Sequence, residues 1–464
     1  MDAPEKLERG LGLTEATALN MIDMVGIGPF IVIPFVLRAM PGWHSLIAWL
    51  AGGVLALFDG CIWAELGAAM PQAGGSYIFL REEYGPGRWG RLMSFLFIWQ
   101  TLFQAPLVVA SGALGFAEYS SFLTSKFDIV SRALQRLPIK YASFPDHIIA
   151  ALAVVVITVL LYRRIGAVGK ISVAIWTVVI GTLLWLIWGG ATHFSLQRVF
   201  DTSAGPWNFS WILFAGLGHA TVQTTYTYLG YYNVCNLGGE MKNPERNIPR
   251  AIFISILGIA ALYFAMQVSI LSVVPWRDAQ QSSFVVSLFV ERAYGPQWAT
   301  LATCLILIIA FGSLFSATLG YSRVPYAAAL DGNFFSVFGR VHPTKRFPYI
   351  SLLALGAAAF IFSLIFRLFF VIRAILAMRC LIQFIGQTVG LIALRRRWPR
   401  ERFPFRMWFY PIPVGIAILG WAAIFVSTGT TLMAAALIFT ALGVLIYLGR
   451  ASVLKQWPFE ETTA

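Results

Sequence analysis

Charge is what this chain has least of. Asp, Glu, Lys and Arg together make up 12 % of its 464 residues, against about a quarter in ordinary soluble domains. That shortage leaves no room for a sizeable water-soluble domain. Cysteine is scarce too: Cys61, Cys235, Cys304 and Cys380 stand far apart, in or at the ends of apolar segments, with no CxxC pair. They read as small core residues rather than a redox or metal site. Five scattered histidines (His44, His147, His193, His219 and His342) make no HExxH or other ligand spacing. No metal centre, no cofactor and no enzyme chemistry is expected. There is neither a polar catalytic cluster nor the repeated polar stripe that a pore would need. The first residues, Met1 to Leu13, lack a cleavable signal pattern, so the first helix is expected to remain in the mature protein.

What fills the chain instead is apolar. Hydrophobic residues make up 58 % and the mean hydropathy is +0.73. Runs of roughly 20 apolar residues recur, each long enough to cross about 30 Å of hydrocarbon. The expected fold is an all-α polytopic membrane protein of about twelve spans. They lie roughly at 13–39, 44–70, 88–121, 146–163, 166–190, 207–236, 248–275, 298–330, 349–366, 369–394, 410–428 and 430–449, with an amphipathic piece near 282–293. Sixteen Trp and sixteen Tyr suit interfacial belts. The net charge of +13 would suggest nucleic acid in a soluble protein; here the positive-inside rule accounts for it. With both termini cytoplasmic, the inner loops and tails carry 22 basic residues and the outer ones nine. Loop 119–147, with four basic residues, runs against that bias.

One interruption stands out. Met21-Ile-Asp-Met-Val-Gly-Ile-Gly-Pro-Phe30 breaks the first span at mid-membrane. Lipid tolerates no unpaired backbone, so such a break must face protein or a wet cavity, and broken helices at the midplane are how many secondary transporters build a substrate site. Pro29 cannot continue a helix from below, yet it suits the first turn of a new one. The sixth span carries Tyr226-Thr-Tyr-Leu-Gly-Tyr-Tyr232, with Gly230 mid-membrane. Spans one to five (13–190) and six to ten (207–394) therefore read as two repeats. Five is odd, so the second is inverted relative to the first. Residues 410–449 hold two additional helices, between tails at 1–12 and 450–464.

The chemistry of the first break suggests the ligand. Past Gly28 a half-helix restarts, aiming free N–H groups and a positive dipole end at the cavity, ready for a carboxylate. The lower half-helix, like the first half of span six, ends in carbonyls that favour an ammonium group or a cation. An anion site beside a cation site describes an α-amino acid.

Three further motifs are familiar. Ala64-Glu-Leu-Gly-Ala-Ala-Met-Pro-Gln-Ala-Gly-Gly-Ser-Tyr77, Gly239-Glu-Met-Lys-Asn-Pro-Glu-Arg-Asn-Ile-Pro-Arg250 and Gly320-Tyr-Ser-Arg-Val-Pro-Tyr326 with Asp331-Gly332, together with Gly26-Ile-Gly28, resemble the amino acid–polyamine–organocation transporter superfamily over residues 10–400. The resemblance implies the five-plus-five inverted repeat of the leucine-transporter-like fold with two extra C-terminal helices. It implies substrate contacts at Val25, Gly26, Ile27, Gly28, Thr227 and Gly230, and an aromatic gate at Tyr226. Sodium-independent relatives often carry a lysine midway along helix five. Here that position falls near Gly181 or Thr182, and Lys170 is the only lysine on the helix. Asp23 stands where relatives often have Asn. Asp23, Ser313 and Ser316 are therefore the ion-coupling candidates, with the proton favoured over sodium.

The expected function is secondary transport of amino acids by alternating access, as symport or exchange, in the plasma membrane (the inner membrane of a bacterium). The expected partners are the substrate, lipid, and a proton or sodium ion, without nucleic acid. The alternative is a polyamine or organocation carrier. Against it, helix six has no acid between Trp207 and Gly239, helix three has only Glu118, and helix ten is basic at Arg373 and Arg379. An ion pair between Asp59 and Arg379, two charges deep in their spans, is a further expectation. Glu65 and Glu240 read as scaffold, and Arg323 as an interface anchor.

Overall fold

The computed structural model describes residues 7–126, 144–201, 203, 211–366 and 368–459. Lys140, Trp207 and Arg367, with most of the basic loop 119–147, lie outside them. The described residues are helical, with two isolated β-bridges, Leu11 with Met241 and Ala73 with Leu237. The first helix, α1, runs Leu13–Met24. Its start is set by Glu15, whose carboxylate accepts the Gly12 N–H at 3.0 Å, satisfying one of the donors that a helix N-terminus leaves open. After a gap of three residues α2 begins, Gly28–Ala39, with Pro29 in its first turn and the axis bent by 42°.

The chain continues through α3 (Ser45–Ala69), the short α4 (Ser76–Glu83), α5 (Trp89–Lys126), α6 (Phe144–Leu161) and α7 (Ile165–Thr192). Then come α8 (Trp211–Tyr228), α9 (Pro244–Val273), the amphipathic α10 (Val285–Tyr294) and α11 (Pro296–Tyr321). After Ser322 a separate α12 covers Arg323–Leu330, followed by α13 (Tyr349–Ile365) and α14 (Leu368–Arg379). A π-helical turn at Cys380–Gly386 leads into α15 (Gln387–Arg397), and α16 (Ile412–Ser427) and α17 (Thr430–Val453) complete the chain.

Among the described residues seven helices are long and apolar enough to cross a membrane, the bent α1–α2 pair makes an eighth, and three shorter apolar helices accompany them. Lateral position shows in burial. The best apolar window of the α3 span is 61 % buried, that of α17 only 17 %, and Ile438 and Leu445 on α17 are widely exposed. Apolar side chains bare along a whole helix call for a hydrocarbon solvent.

At the centre, α3 packs along α8 and α9, and α1 along α7, α9 and α11. Trp49, Tyr228 and Tyr263 fill the space between them, their rings meeting edge to face with centroids 5.3–6.4 Å apart. Two buried ion pairs fasten the end of the bundle that holds the N-terminus. Glu240 takes two hydrogen bonds from Arg323, at 2.9 and 2.7 Å, and its backbone carbonyl receives the N–H groups of Gly10 and Leu11. Glu65 pairs with Arg395 and also accepts the Met407 N–H.

Three expectations are corrected. Arg323 is a buried partner of Glu240 rather than an interface anchor, being 2 % exposed. Span 369–394 is interrupted by a π turn. Asp59 and Arg379 do not pair. Asp59 instead accepts the Tyr231 O–H at 2.5 Å and the Trp421 indole N–H at 2.9 Å, so α3 is tied to the second break and to α16.

Candidate functional site

The first break exposes backbone. Val25 still closes the helix, donating to the Met21 carbonyl, and Phe30 and Ile31 donate to the Ile27 carbonyl. Between them the N–H groups of Gly26, Ile27 and Gly28 find no acceptor among the described residues. Three successive donors at the start of α2, at the positive end of its dipole, make a cradle of the kind that suits an anion. Gly28 leaves it accessible, because a Cβ there would already lie 3.3 Å from the Tyr226 ring.

The second break packs directly on the first. Gly230 has φ of +123°, and a Cβ on it would sit 2.9 Å from the Met24 nitrogen and 3.0 Å from the Asp23 carbonyl carbon. Only glycine combines that backbone with that approach. Asn20 stitches the two breaks from below, donating to the Tyr231 carbonyl at 2.6 Å and accepting the Val234 N–H at 3.0 Å.

Several expected carbonyl ends are not bare. The Tyr263 hydroxyl, from α9, reaches the Met24 carbonyl at 2.7 Å and the Thr227 carbonyl at 3.3 Å, joining the ends of both half-helices. Ser313 donates to the Asp23 carbonyl at 3.2 Å. Ser316 donates to the Leu19 carbonyl at 2.7 Å while accepting from Asn233 at 2.8 Å.

A cavity of about 60 Å³ sits over this junction, lined by Asp23, Gly26, Ile27, Gly28, Tyr226, Thr227 and Gly230. Val25, Ser313 and Ser316 do not line it: Val25 is fully buried in packing, and both serines hold the α1 backbone from behind. The Tyr226 hydroxyl meets Ser111 of α5 at 3.2 Å, closing one side. The Asp23 carboxylate makes no hydrogen bond or ion pair among the described residues, although it belongs to the cavity wall. A far larger groove, about 730 Å³, lies between α3, α9 and residues 404–413. It is apolar and remote from both breaks, so size does not mark the site.

Sequence reasoning missed Tyr232, Tyr321 and above all Arg379 as cavity walls. Arg379 was visible as a charge deep in an apolar segment, a pattern that by itself points to function; the cavity it faces depends on how α14 packs. Tyr263 carried no signal beyond being one more tyrosine in an apolar helix.

A bundle of apolar helices around a broken span, with a small polar cavity where the helix ends meet, is the architecture of a polytopic membrane protein. The amino acid permease family matches residues 11–449, and the chain belongs to that family, within the amino acid–polyamine–organocation superfamily. It is 27 % identical over 438 residues to the serine/threonine exchanger SteT of Bacillus subtilis, covering 92 % of each chain. It is 26 % identical over 406 residues to cationic amino acid transporter 4 of Mus musculus, over 84 % of this chain and 60 % of the mouse protein, so it spans about 60 % of the length of that relative. It is 25 % identical over 413 residues to the cystine/glutamate transporter of Homo sapiens, over 87 % of this chain and 77 % of the human one.

Proposed function

We propose that this protein is a secondary transporter of α-amino acids working by alternating access. The observation that carries the reading is the row of free N–H groups at Gly26, Ile27 and Gly28, opening on a cavity that also holds Asp23 and the second break. A substrate carboxylate takes the three donors and the α2 dipole. Its ammonium lies toward the carbonyl end of α1, and Tyr226 covers the pair. Because the two breaks meet at Gly230, a tilt of the half-helices opens the cavity to one side and closes it to the other. The relatives, named as transporters and exchangers of several amino acids, agree with this substrate class.

In this reading residues 13–190 and 207–394 are the two inverted repeats and 410–449 add two helices. Both tails, 1–12 and 450–464, lie in the cytoplasm, and the protein sits in the plasma membrane, the inner one in a bacterium. Asp23 is the coupling group, with the proton favoured over sodium. Its carboxylate finds no hydrogen bond or ion pair among the described residues, and an unpaired carboxylate in a low-dielectric site either takes up a proton or recruits a cation. Arg379 in the same cavity weighs against the polyamine alternative.

Counterflow of labelled amino acids into vesicles holding the purified protein tests the reading, with and without proton and sodium gradients. Gly28→Val is expected to abolish exchange while the protein still inserts and purifies as a single species. Normal kinetics in that variant would place the site elsewhere. Labelling of Asn243→Cys by an impermeant reagent from outside intact cells would overturn the orientation.

A further inference from the structure

Arg379 ends α14 where the π turn Cys380–Gly386 begins, and single π turns inside helices frequently mark functional positions. Its side chain is 2 % exposed and lines the same cavity as the N–H cradle. The guanidinium donates from Nη1 to the Tyr232 hydroxyl. With the Gln104 amide oriented to suit the network, Nε and Nη2 donate to its oxygen. The cation also lies 5.6 Å from the Tyr232 ring centroid and 5.4 Å from that of Tyr321. All of these partners are neutral. Among the described residues no carboxylate pairs with Arg379, unlike Arg323 and Arg395, which each grip a glutamate. Three of its five N–H groups are thus engaged, two remain, and the charge is balanced by no contact.

We propose that Arg379 reads the substrate's side chain: the site takes α-amino acids whose side chain ends in a carboxylate or another hydrogen-bond acceptor, and rejects those ending in a cation. The inference rests on the amino acid reading above and names its substrate class. Charge balance supplies the physical reason. Arginine stays protonated in proteins, so the cavity always holds one positive charge. With Asp23 ionised it is neutral, and a zwitterion leaves it so. A lysine-like substrate would then bury a net positive charge, and Asp23 cannot offset it a second time. An acidic side chain is balanced when Asp23 carries a proton, which would travel with that substrate. Besides these two, the titratable groups around the cavity are Tyr226, Tyr232 and Tyr321, with Asp59 held behind Tyr231. The free N–H groups of Arg379 supply the planar, two-pronged donor pair that suits a carboxylate.

The test uses the full-length protein in vesicles and four labelled probes: glutamate, serine, leucine and lysine. Glutamate or serine is expected to exchange at least tenfold faster than lysine and faster than leucine, and the same compound to raise the thermal stability of the wild-type protein where lysine does not. Arg379→Gln is expected to lower the glutamate-to-leucine exchange ratio at least tenfold, and Arg379→Lys to restore part of it. Lysine or leucine exchanging fastest in the wild type would overturn the inference while leaving amino acid transport intact. So would an Arg379→Gln protein with an unchanged ratio. Should Arg379→Gln fail to fold, the wild-type stability shifts decide alone: a larger shift with lysine than with glutamate or serine sinks the proposal. Exchange of none of the amino acids by a stable protein would instead sink the transport reading itself.

Discussion

Two sets of buried charge sit in this bundle and behave in opposite ways. At the end that holds the N-terminus, Glu240 grips Arg323 and Glu65 grips Arg395, each carboxylate taking two bonds from its guanidinium. In the central cavity Asp23 and Arg379 share a wall without pairing with each other or with any other ion among the described residues. A charge held out of water is costly unless it is paired and hydrogen-bonded. The first set satisfies that condition within the protein and so fixes structure. The second leaves it to be satisfied by something that comes and goes. Asp59 lies between the two cases: it has no cation, but two neutral donors satisfy it.

The contrast can be broken in graded steps. Glu240→Gln leaves Arg323 buried without its anion and should cost about 3–5 kcal/mol. It is expected to show as the largest drop in thermal unfolding temperature in detergent, and an unchanged midpoint would mean that the pair is not structural. Asp59→Asn turns an amide N–H toward the donor of Tyr231 or Trp421 and should cost about 1–3 kcal/mol, read by the same melt. Tyr263→Phe removes the hydroxyl that joins the Met24 and Thr227 carbonyls. About 1 kcal/mol of stability goes with it, and uptake should fall more than that stability loss explains.

Glu83, at the end of α4, gives a pH-dependent version. Both its carboxyl oxygens are buried without partners among the described residues, its Cβ is packed closely under Gly390, and burial holds its pKa well above the usual carboxylate range, with Arg397 pulling the other way. The unfolded chain therefore ionises first. Stability is full below the ordinary carboxylate pKa and drains away as pH climbs from there toward the raised value in the folded protein. Glu83→Gln should melt like the wild type near pH 4 and increasingly above it toward pH 8; parallel curves would show that Glu83 is already ionised in the fold. The smallest stability effect belongs to Asp23→Asn, which should leave the melt nearly unchanged, since that carboxylate makes no hydrogen bond or ion pair among the described residues. It should instead remove the acceleration of uptake by an inward ion gradient while counterflow exchange persists. A large loss of stability in this variant would place Asp23 with the structural charges.

The first break was legible from residues 21–30 because its causes are local. Gly26, Gly28 and Pro29 interrupt a helix wherever it packs, and Pro29 restarts it. Gly230 was legible as a mid-membrane glycine, but its reason, the Met24 nitrogen 2.9 Å from where a Cβ would stand, belongs to another helix. The ends of long helices came out within a few residues, whereas the π turn after Arg379 and the separate α12 did not. Periodicity is blind to both, since apolar residues continue through each. Ser313 and Ser316 were legible as polar residues on an apolar helix, but that they donate to the Asp23 and Leu19 carbonyls of α1 depends on how α11 is rotated.

Composition, apolar run length and the Gly-Ile-Gly-Pro interruption determined that this chain is a helical membrane protein with a broken first span. These are properties of local backbone and of solvent preference, and they do not depend on which helices meet. Tertiary structure alone decided which charges are partnered. Arg323, Arg379 and Arg395 are the same residue type, yet two are neutralised by glutamates 83 and 330 positions away and one is left facing a cavity. Coulombic balance is set by distances across the bundle, and those exist only once the helices have packed.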